Sequence, residues 1–122
     1  MQVDKEHIQL LTEVGYAAAI YGEADKAEPI FDALMDIVPG NAAGPIGYGL
    51  SGIMQGRFDE AIDILERKGI DATVSADEAR AIHLLALYLA GRKNEARRLG
   101  EQYIADAEFV IASDMAESIN NS

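Results

Sequence analysis

Three short strings recur along the chain: Gly22-Glu-Ala-Asp-Lys-Ala27, Gly56-Arg-Phe-Asp-Glu-Ala61 and Gly91-Arg-Lys-Asn-Glu-Ala96. Their glycines stand 34 and then 35 residues apart (22 to 56, 56 to 91), and so do their alanines. A fixed period of this length confines a chain to stacked supersecondary units, because one unit alone cannot bury its apolar face. Each string lies between two stretches with apolar residues at helical spacing, so the unit is a pair of antiparallel helices meeting at a tight turn. No stretch alternates with period two, and the expected fold is all-α. Glycine tolerates positive φ where the first helix must stop. Asp25, Asp59 or Asn94 then stands near the start of the second helix, where an acceptor side chain satisfies free backbone N–H groups. The closing alanine is small because the two helices cross there at close range.

Period and layout resemble the tetratricopeptide repeat. A first repeat at residues 8–41 places Leu11, Val14, Gly15, Ala18, Gly22, Ala27, Phe31, Leu34 and Pro39 where that consensus has its large, small, turn, aromatic and proline positions. The second repeat, 42–75, keeps Tyr48, Gly49, Gly56, Phe58, Ala61 and Leu65, but Lys68 and Gly69 predict an early end to its second helix. The third, 77–110, opens with Ser75-Ala-Asp-Glu78, which reads as a capping box. It keeps Leu87, Gly91, Ala96 and Tyr103 and has Leu84 where a small residue is usual. Residues 111–122 begin apolar (Val110, Ile111 and Ala112 mark the approach) and end in Asn120-Asn121-Ser122, which predicts the end of the last helix and a frayed tail. The expectation is a single domain over residues 1–122: three tetratricopeptide-like helix-turn-helix repeats in a short right-handed superhelix with a C-terminal helical end.

Charge narrows the function classes. Ten Lys and Arg stand against 21 Asp and Glu, a formal net charge of -11. Nucleic-acid binders need clustered cations for phosphate contacts, and anionic membrane surfaces ask for the same. The one basic cluster, Arg92, Lys93, Arg97 and Arg98, is interrupted by Glu95. Without cysteine there is no disulfide framework, thiolate metal site or cysteine nucleophile. No signal-like segment opens the sequence, and no run approaches the roughly 18 apolar residues of a membrane span. A cytoplasmic protein is the expectation.

Two patterns that resemble chemistry have plainer readings. Gly47-Tyr-Gly49-Leu-Ser-Gly52 fits the G-x-G-x-x-G pattern of dinucleotide folds, but that pattern carries meaning only between a strand and a helix. Here it falls inside an expected helix, so the glycines read as close helix packing. Each interior glycine costs up to about 1 kcal/mol relative to alanine, which makes 41–56 the stretch expected to be locally weakest. His83 takes a position that normally holds a packed leucine, and His7 belongs to another repeat. Neither brings ligands at metal spacing, and no activated group with an orienting partner can be named. The expectation is a non-enzymatic protein with no metal or cofactor.

The informative constellation is the inner face. On the repeat register it carries Gln9, Thr12, Tyr16, Ala19 and Ile20, then Ala43, Ile46, Leu50, Ile53 and Met54, then Glu78, Ala81, Leu85, Tyr88 and Leu89. Repeats that hold an acidic peptide terminus put Lys, Arg and Asn here, whereas this face has no cation. The candidate peptide-binding residues are Tyr16, Ile20, Ile46, Leu50, Ile53, Met54, Leu85, Tyr88 and Leu89. So large an apolar face exceeds what a soluble monomer ordinarily exposes. An amphipathic helix with anchors at i, i+3, i+4 and i+7 would cover it. Packing on the chain's own C-terminal helix or on a second copy, giving a homodimer or self-associating scaffold, is the other reading of the same face.

A small acidic chain of three repeats with an apolar groove resembles the tetratricopeptide chaperones of bacterial type III secretion. Ala27-Glu-Pro-Ile-Phe-Asp-Ala-Leu-Met-Asp-Ile-Val-Pro39, Gln55-Gly-Arg-Phe-Asp-Glu-Ala-Ile-Asp-Ile-Leu65 and Ala81-Ile-His-Leu-Leu-Ala-Leu-Tyr-Leu-Ala-Gly91 resemble stretches of the Hrp-type secretion proteins in that group. Needle-subunit chaperones have the same size and layout. The resemblance spans residues 8–105, and much of it is generic repeat pattern. It implies a cytoplasmic protein that grips an aggregation-prone secretion substrate through its groove. In the needle branch it also implies a second small helical co-chaperone.

Overall fold

The computed structural model describes residues 4–120, with the side chains of 108–114 and 116–120 outside the description. Six helices follow one another: α1 (Lys5–Ile20), α2 (Ala24–Ile37), α3 (Ala43–Met54), α4 (Phe58–Lys68), α5 (Ala76–Leu89) and α6 (Lys93–Asn120). They form three helical hairpins, and the described residues contain no strand. The first helices lie in a row, α1 against α3 and α3 against α5. Each of α2 and α4 packs on its own hairpin partner and on the first helix of the next hairpin. The chain is therefore an all-α stack of repeated helix pairs.

The repeated glycines make the hairpins. Gly22, Gly56 and Gly91 all adopt positive φ (80°, 75° and 85°). Immediately after them the N–H groups of Glu23, Arg57 and Arg92 donate to the carbonyls of Ala18, Gly52 and Leu87 at 2.9, 2.7 and 2.9 Å. This is the six-to-one closure of a helix end on a left-handed residue, which satisfies carbonyls that would otherwise be orphaned. The turns also touch one another, since Gln55 Nε2 donates to the Gly22 carbonyl at 3.1 Å. Arg57 joins two hairpins as well, pairing with Glu28 on α2 at 2.8 Å and with Glu60 on α4 at 2.9 Å.

Helix starts depart from the sequence expectation. Neither α2 nor α4 has a side-chain cap, so Asp25 and Asp59 act only as first-turn charges facing the positive helix end. The Ser75–Glu78 capping box does not form, because Ser75 sits at φ 64° and its side chain makes no cap bond. A capping box needs an extended N-cap residue. The backbone just before Ser75 is committed elsewhere: Thr73 N–H donates to Gly40 O at 3.0 Å, and Ala42 N–H donates to Val74 O at 2.9 Å. That lacing of the two inter-hairpin loops turns the chain left-handed at Ser75. As the sequence predicts, α4 stops at Lys68. At the C-terminus α6 runs as one helix of 28 residues to Asn120, so 111–120 form the end of the last helix; the frayed tail expected at Asn121 and Ser122 lies outside the described residues. The sequence readings at Val110, Ile111, Ala112, Asn121 and Ser122 concern side chains or residues outside the described set.

The glycine-rich α3 is the centre of the stack, touching α1, α2, α4 and α5. Its buried residues include Gly44, Ile46, Gly47, Gly49, Ser51 and Gly52. A Cβ on Gly47 would collide with the Phe31 ring, and one on Gly15 of α1 would stand 2.7 Å from the same ring. Phe31 is completely buried and occupies the space the two glycines leave. Gly44 likewise makes room for Met35, at 2.6 Å from a Cβ position. The helix of the stretch expected to be weakest is thus packed against four others, and those contacts offset the helix-propensity cost of its glycines.

A second junction closes the far end. His83 of α5 is buried, with Nδ1 2.8 Å from Tyr103 Oη of α6 and Nε2 3.4 Å from the Glu66 carboxylate of α4. Arg80 lies 5.4 Å over the Tyr103 ring. Burial lowers the His83 pKa from 6.5, and the charge of Glu66 only partly opposes that. A lowered folded-state pKa means the unfolded chain binds the proton more readily, so stability falls as pH drops below 6.5.

Two outcomes follow. Gly47→Ala should cost about 3 kcal/mol, the top of the usual overpacking range. Gly56→Ala meets no atom within 4 Å and carries only left-handed strain, about 1–2 kcal/mol. Adding Phe31→Leu to Gly47→Ala should recover part of the loss, all read by urea denaturation. Between pH 7 and 5.5 (roughly the imidazole window) the chain should lose more stability than its His83→Leu variant.

Candidate binding groove

The row of first helices encloses an open cavity of about 720 Å³. Ile8, Thr12 and Tyr16 of α1, Ala43, Ile46 and Leu50 of α3, and Ala81 and Ile82 of α5 supply its apolar walls. Lys5, Gln9, Glu13, Asn41, Ser75 and Glu78 complete the lining. Most of the polar side chains here are already engaged. Thr12 Oγ1 donates to the Ile8 carbonyl at 2.8 Å, and Asn41 Oδ1 accepts from Ala43 N–H at 2.9 Å. Gln9 donates to Glu13 at 3.3 Å. Polar groups bonded to their own wall have little left for a ligand, so the cavity offers a guest mainly apolar surface.

Tyr16 forms part of the wall and ties the groove to the core. Its ring lies 5.8 Å from that of Phe31, tilted by 42°. Its hydroxyl donates to the Ala43 carbonyl at a long 3.4 Å. Burial, with a smaller contribution from the Glu78 charge, pushes the phenol up to about 12. Tyr16 is therefore neutral around pH 7, and its ring acts here as a flat apolar plate. Lys5, Glu13 and Glu78 are exposed and are the charged groups of the lining.

Among the sequence candidates, Tyr16, Ile46 and Leu50 come together in this cavity. The other six do not. Ile20, Met54 and Leu89 are each the last residue of α1, α3 and α5 and are exposed beyond it. The cavity lies over the earlier turns of these helices, which their last turn does not reach. Ile53 packs instead into the cluster of Ala61, Ile62, Ala86 and Leu87. Leu85 and Tyr88 face a separate crevice beside α6. The expectation of a face without a cation is corrected by Lys5, one turn before the first repeat position. Ile8 and Ile82 were also missed. Ile8 was legible, because Lys5, Ile8, Thr12 and Tyr16 share a helical stripe at 3, 4 and 4 residues. Ile82 was not, since its place depends on how α5 is rotated against α3.

Among the described residues, no group of three or more His, Cys, Asp or Glu is placed to hold a metal ion. No helix among them is long and apolar enough to cross a membrane. The Gly47–Gly52 string lies wholly within α3, and its glycines face Phe31, Leu65 and Ala61. They admit side chains, not a phosphate.

The ring of Tyr16, and not its hydroxyl, should hold the groove wall. Tyr16→Phe should cost less than about 1 kcal/mol, the value of one ordinary hydrogen bond. Tyr16→Ala should cost about 3 kcal/mol or more, with both read from urea midpoints.

No family model matches the chain, and no curated protein or solved structure does either.

Proposed function

We propose that the chain is a non-enzymatic binding protein of tetratricopeptide type that holds the apolar face of an amphipathic helix in the groove of α1, α3 and α5. The observation that carries this reading is the cavity itself: apolar walls from three helices, polar wall groups bonded inward, and charges confined to Lys5, Glu13 and Glu78. A helix about 10 Å across with its side chains fits a trough between helices of this kind. The net charge of -11 supports it, because a chain far from neutrality stays soluble while exposing an apolar trough.

The class of partner comes from the resemblance of 27–39, 55–65 and 81–91 to type III secretion chaperones. On that basis the chain is a cytoplasmic chaperone, and its guest is a secretion substrate of needle-subunit kind. A small helical co-chaperone accompanies the pair in that proposal.

The test is calorimetric titration with a synthetic amphipathic helix taken from a needle-type subunit of the same genome. Saturable binding is expected. Leu50→Glu should weaken it at least about tenfold, or 1.4 kcal/mol, while circular dichroism stays helical. Leu85→Glu should change it little, because Leu85 lies outside the cavity. Equal weakening by both variants, or no saturable binding, would overturn the groove assignment.

A further inference from the structure

The repeat period supplies an internal reference for what each helix face should touch. Leu10, Gly44 and Ala79 are equivalent at spacings of 34 and 35, as are Val14, Tyr48 and His83, and Ala17, Ser51 and Ala86. In α3 and α5 these positions lie against the second helix of the preceding hairpin: Gly44 meets Phe31 and Met35 of α2, and Ala79 meets Gly69 at the end of α4. Of these six, five are buried and Tyr48 is half-buried. In α1 the same face is uncovered among the described residues. Leu10 is 58% exposed and Val14 50%, with Ala17 and Tyr21 continuing the exposed stripe.

The opposite end of the stack has the complementary gap. The crevices between α1 and α2 and between α3 and α4 receive α3 and α5 respectively. The third crevice, between α5 and α6, receives no helix of the described chain. Cavities of about 610 and 270 Å³ open along it, over Leu84, Leu85 and Tyr88 at one end and Gly100, Ile104 and Ala107 at the other. Ile104 is 61% exposed.

Size and charge select the occupant. Inside the chain, large residues on the second helices (Phe31, Leu65) meet small ones on the first helix that follows, such as Gly47 and Ala79. At the open crevice the position equivalent to Phe31 and Leu65 is Gly100, whose nearest side-chain neighbour, Leu84, leaves room at 3.7 Å from a Cβ. The bare face of α1 carries Leu10 where α3 and α5 have Gly44 and Ala79, and Val14 where they have Tyr48 and His83. At the Leu10 position a larger first-helix residue therefore goes with the smaller second-helix residue Gly100. Glu6 and Glu13 flank the α1 stripe, whereas the crevice is lined by Lys93 and Arg97 together with the Arg80–Asp77 pair, which leaves it net basic. In a chain of net charge -11 this is where its basic cluster meets an acidic complement.

We infer that α1 of a second copy of this chain docks in the α5–α6 crevice, continuing the helical stack from one molecule into the next. The contact is heterologous, joining unlike surfaces, so it propagates head to tail and leaves the groove of each copy open. Added salt weakens it by screening the Glu–Lys and Glu–Arg pairs.

The test is sedimentation of the full chain with two end-blocked variants, Leu10→Glu on α1 and Ile104→Glu on α6. The unmodified chain should grow from monomer through dimer to longer species over about two decades of concentration. Each variant alone should remain monomeric, because every possible contact then includes a blocked end. An equimolar mixture should give a one-to-one dimer and nothing longer, since only one intact pair of ends remains. A monomeric unmodified chain at all concentrations would overturn the inference. So would a dimer formed by Ile104→Glu alone, which would mean that two α1 faces pair with each other. Should either variant lose its helical circular dichroism, Val14→Glu and Leu85→Glu block the same two surfaces.

Discussion

Everything in this fold is arranged around the ring of Phe31. It fills the space left by two missing side chains, at Gly15 on α1 and Gly47 on α3, and so brings three helices together at one point. A methyl group on either glycine would have to displace the ring or the helix. The contact sets how near α1 approaches α3, and the groove between them has the width that this approach allows. Removing so buried an aromatic would cost about 3–5 kcal/mol, a large fraction of a small domain's stability.

The groove inherits its character from the same junction. Tyr16 packs on Phe31 and presents its other side to the cavity, so the core and the binding wall share a side chain. Thr12 and Asn41 bond to the backbone and Gln9 to Glu13, which leaves less free polar surface on the wall. The charges that do line the cavity are two carboxylates and one lysine. Under the proposed reading such a surface would hold a guest helix by burial of apolar area and give it little electrostatic direction.

The two ends of the stack differ from its middle in a regular way. Internal junctions set a large residue against a small one in a fixed order, as Phe31 does with Gly47. At the two ends one position exchanges size, with Leu10 on the exposed α1 face where the middle has Gly44 and Ala79, and Gly100 in the α5–α6 crevice where it has Phe31 and Leu65. The His83–Tyr103–Glu66 junction holds α6 in place so that the crevice keeps its shape. Because protonated His83 would be a charge inside the stack, this is also the junction most sensitive to acid.

The spacing of three glycines, read with the apolar periodicity around them, determined six helices, three hairpins and the early end of α4. A left-handed turn residue and a helical stripe are local properties, and local properties are legible in a single sequence. The same register placed Tyr16, Ile46 and Leu50 on the groove and His83 in the core. Ile20, Met54 and Leu89 lie beyond the cavity, because the register names a face without fixing which turns of that face are enclosed. Ile53 lies outside the cavity because α3 turns it toward Ala61, Ile62, Ala86 and Leu87, and Leu85 and Tyr88 because the rotation of α5 is decided by packing across elements. The Ser75 cap failed for a similar reason, since hydrogen bonds to Gly40 and from Ala42, both more than 30 residues earlier, fix the backbone before it. The sequence by itself determined the repeat and the kind of surface it presents. Only the tertiary structure decided where that surface closes into a cavity, because a cavity depends on distances between helices, which Phe31 and its two glycines set.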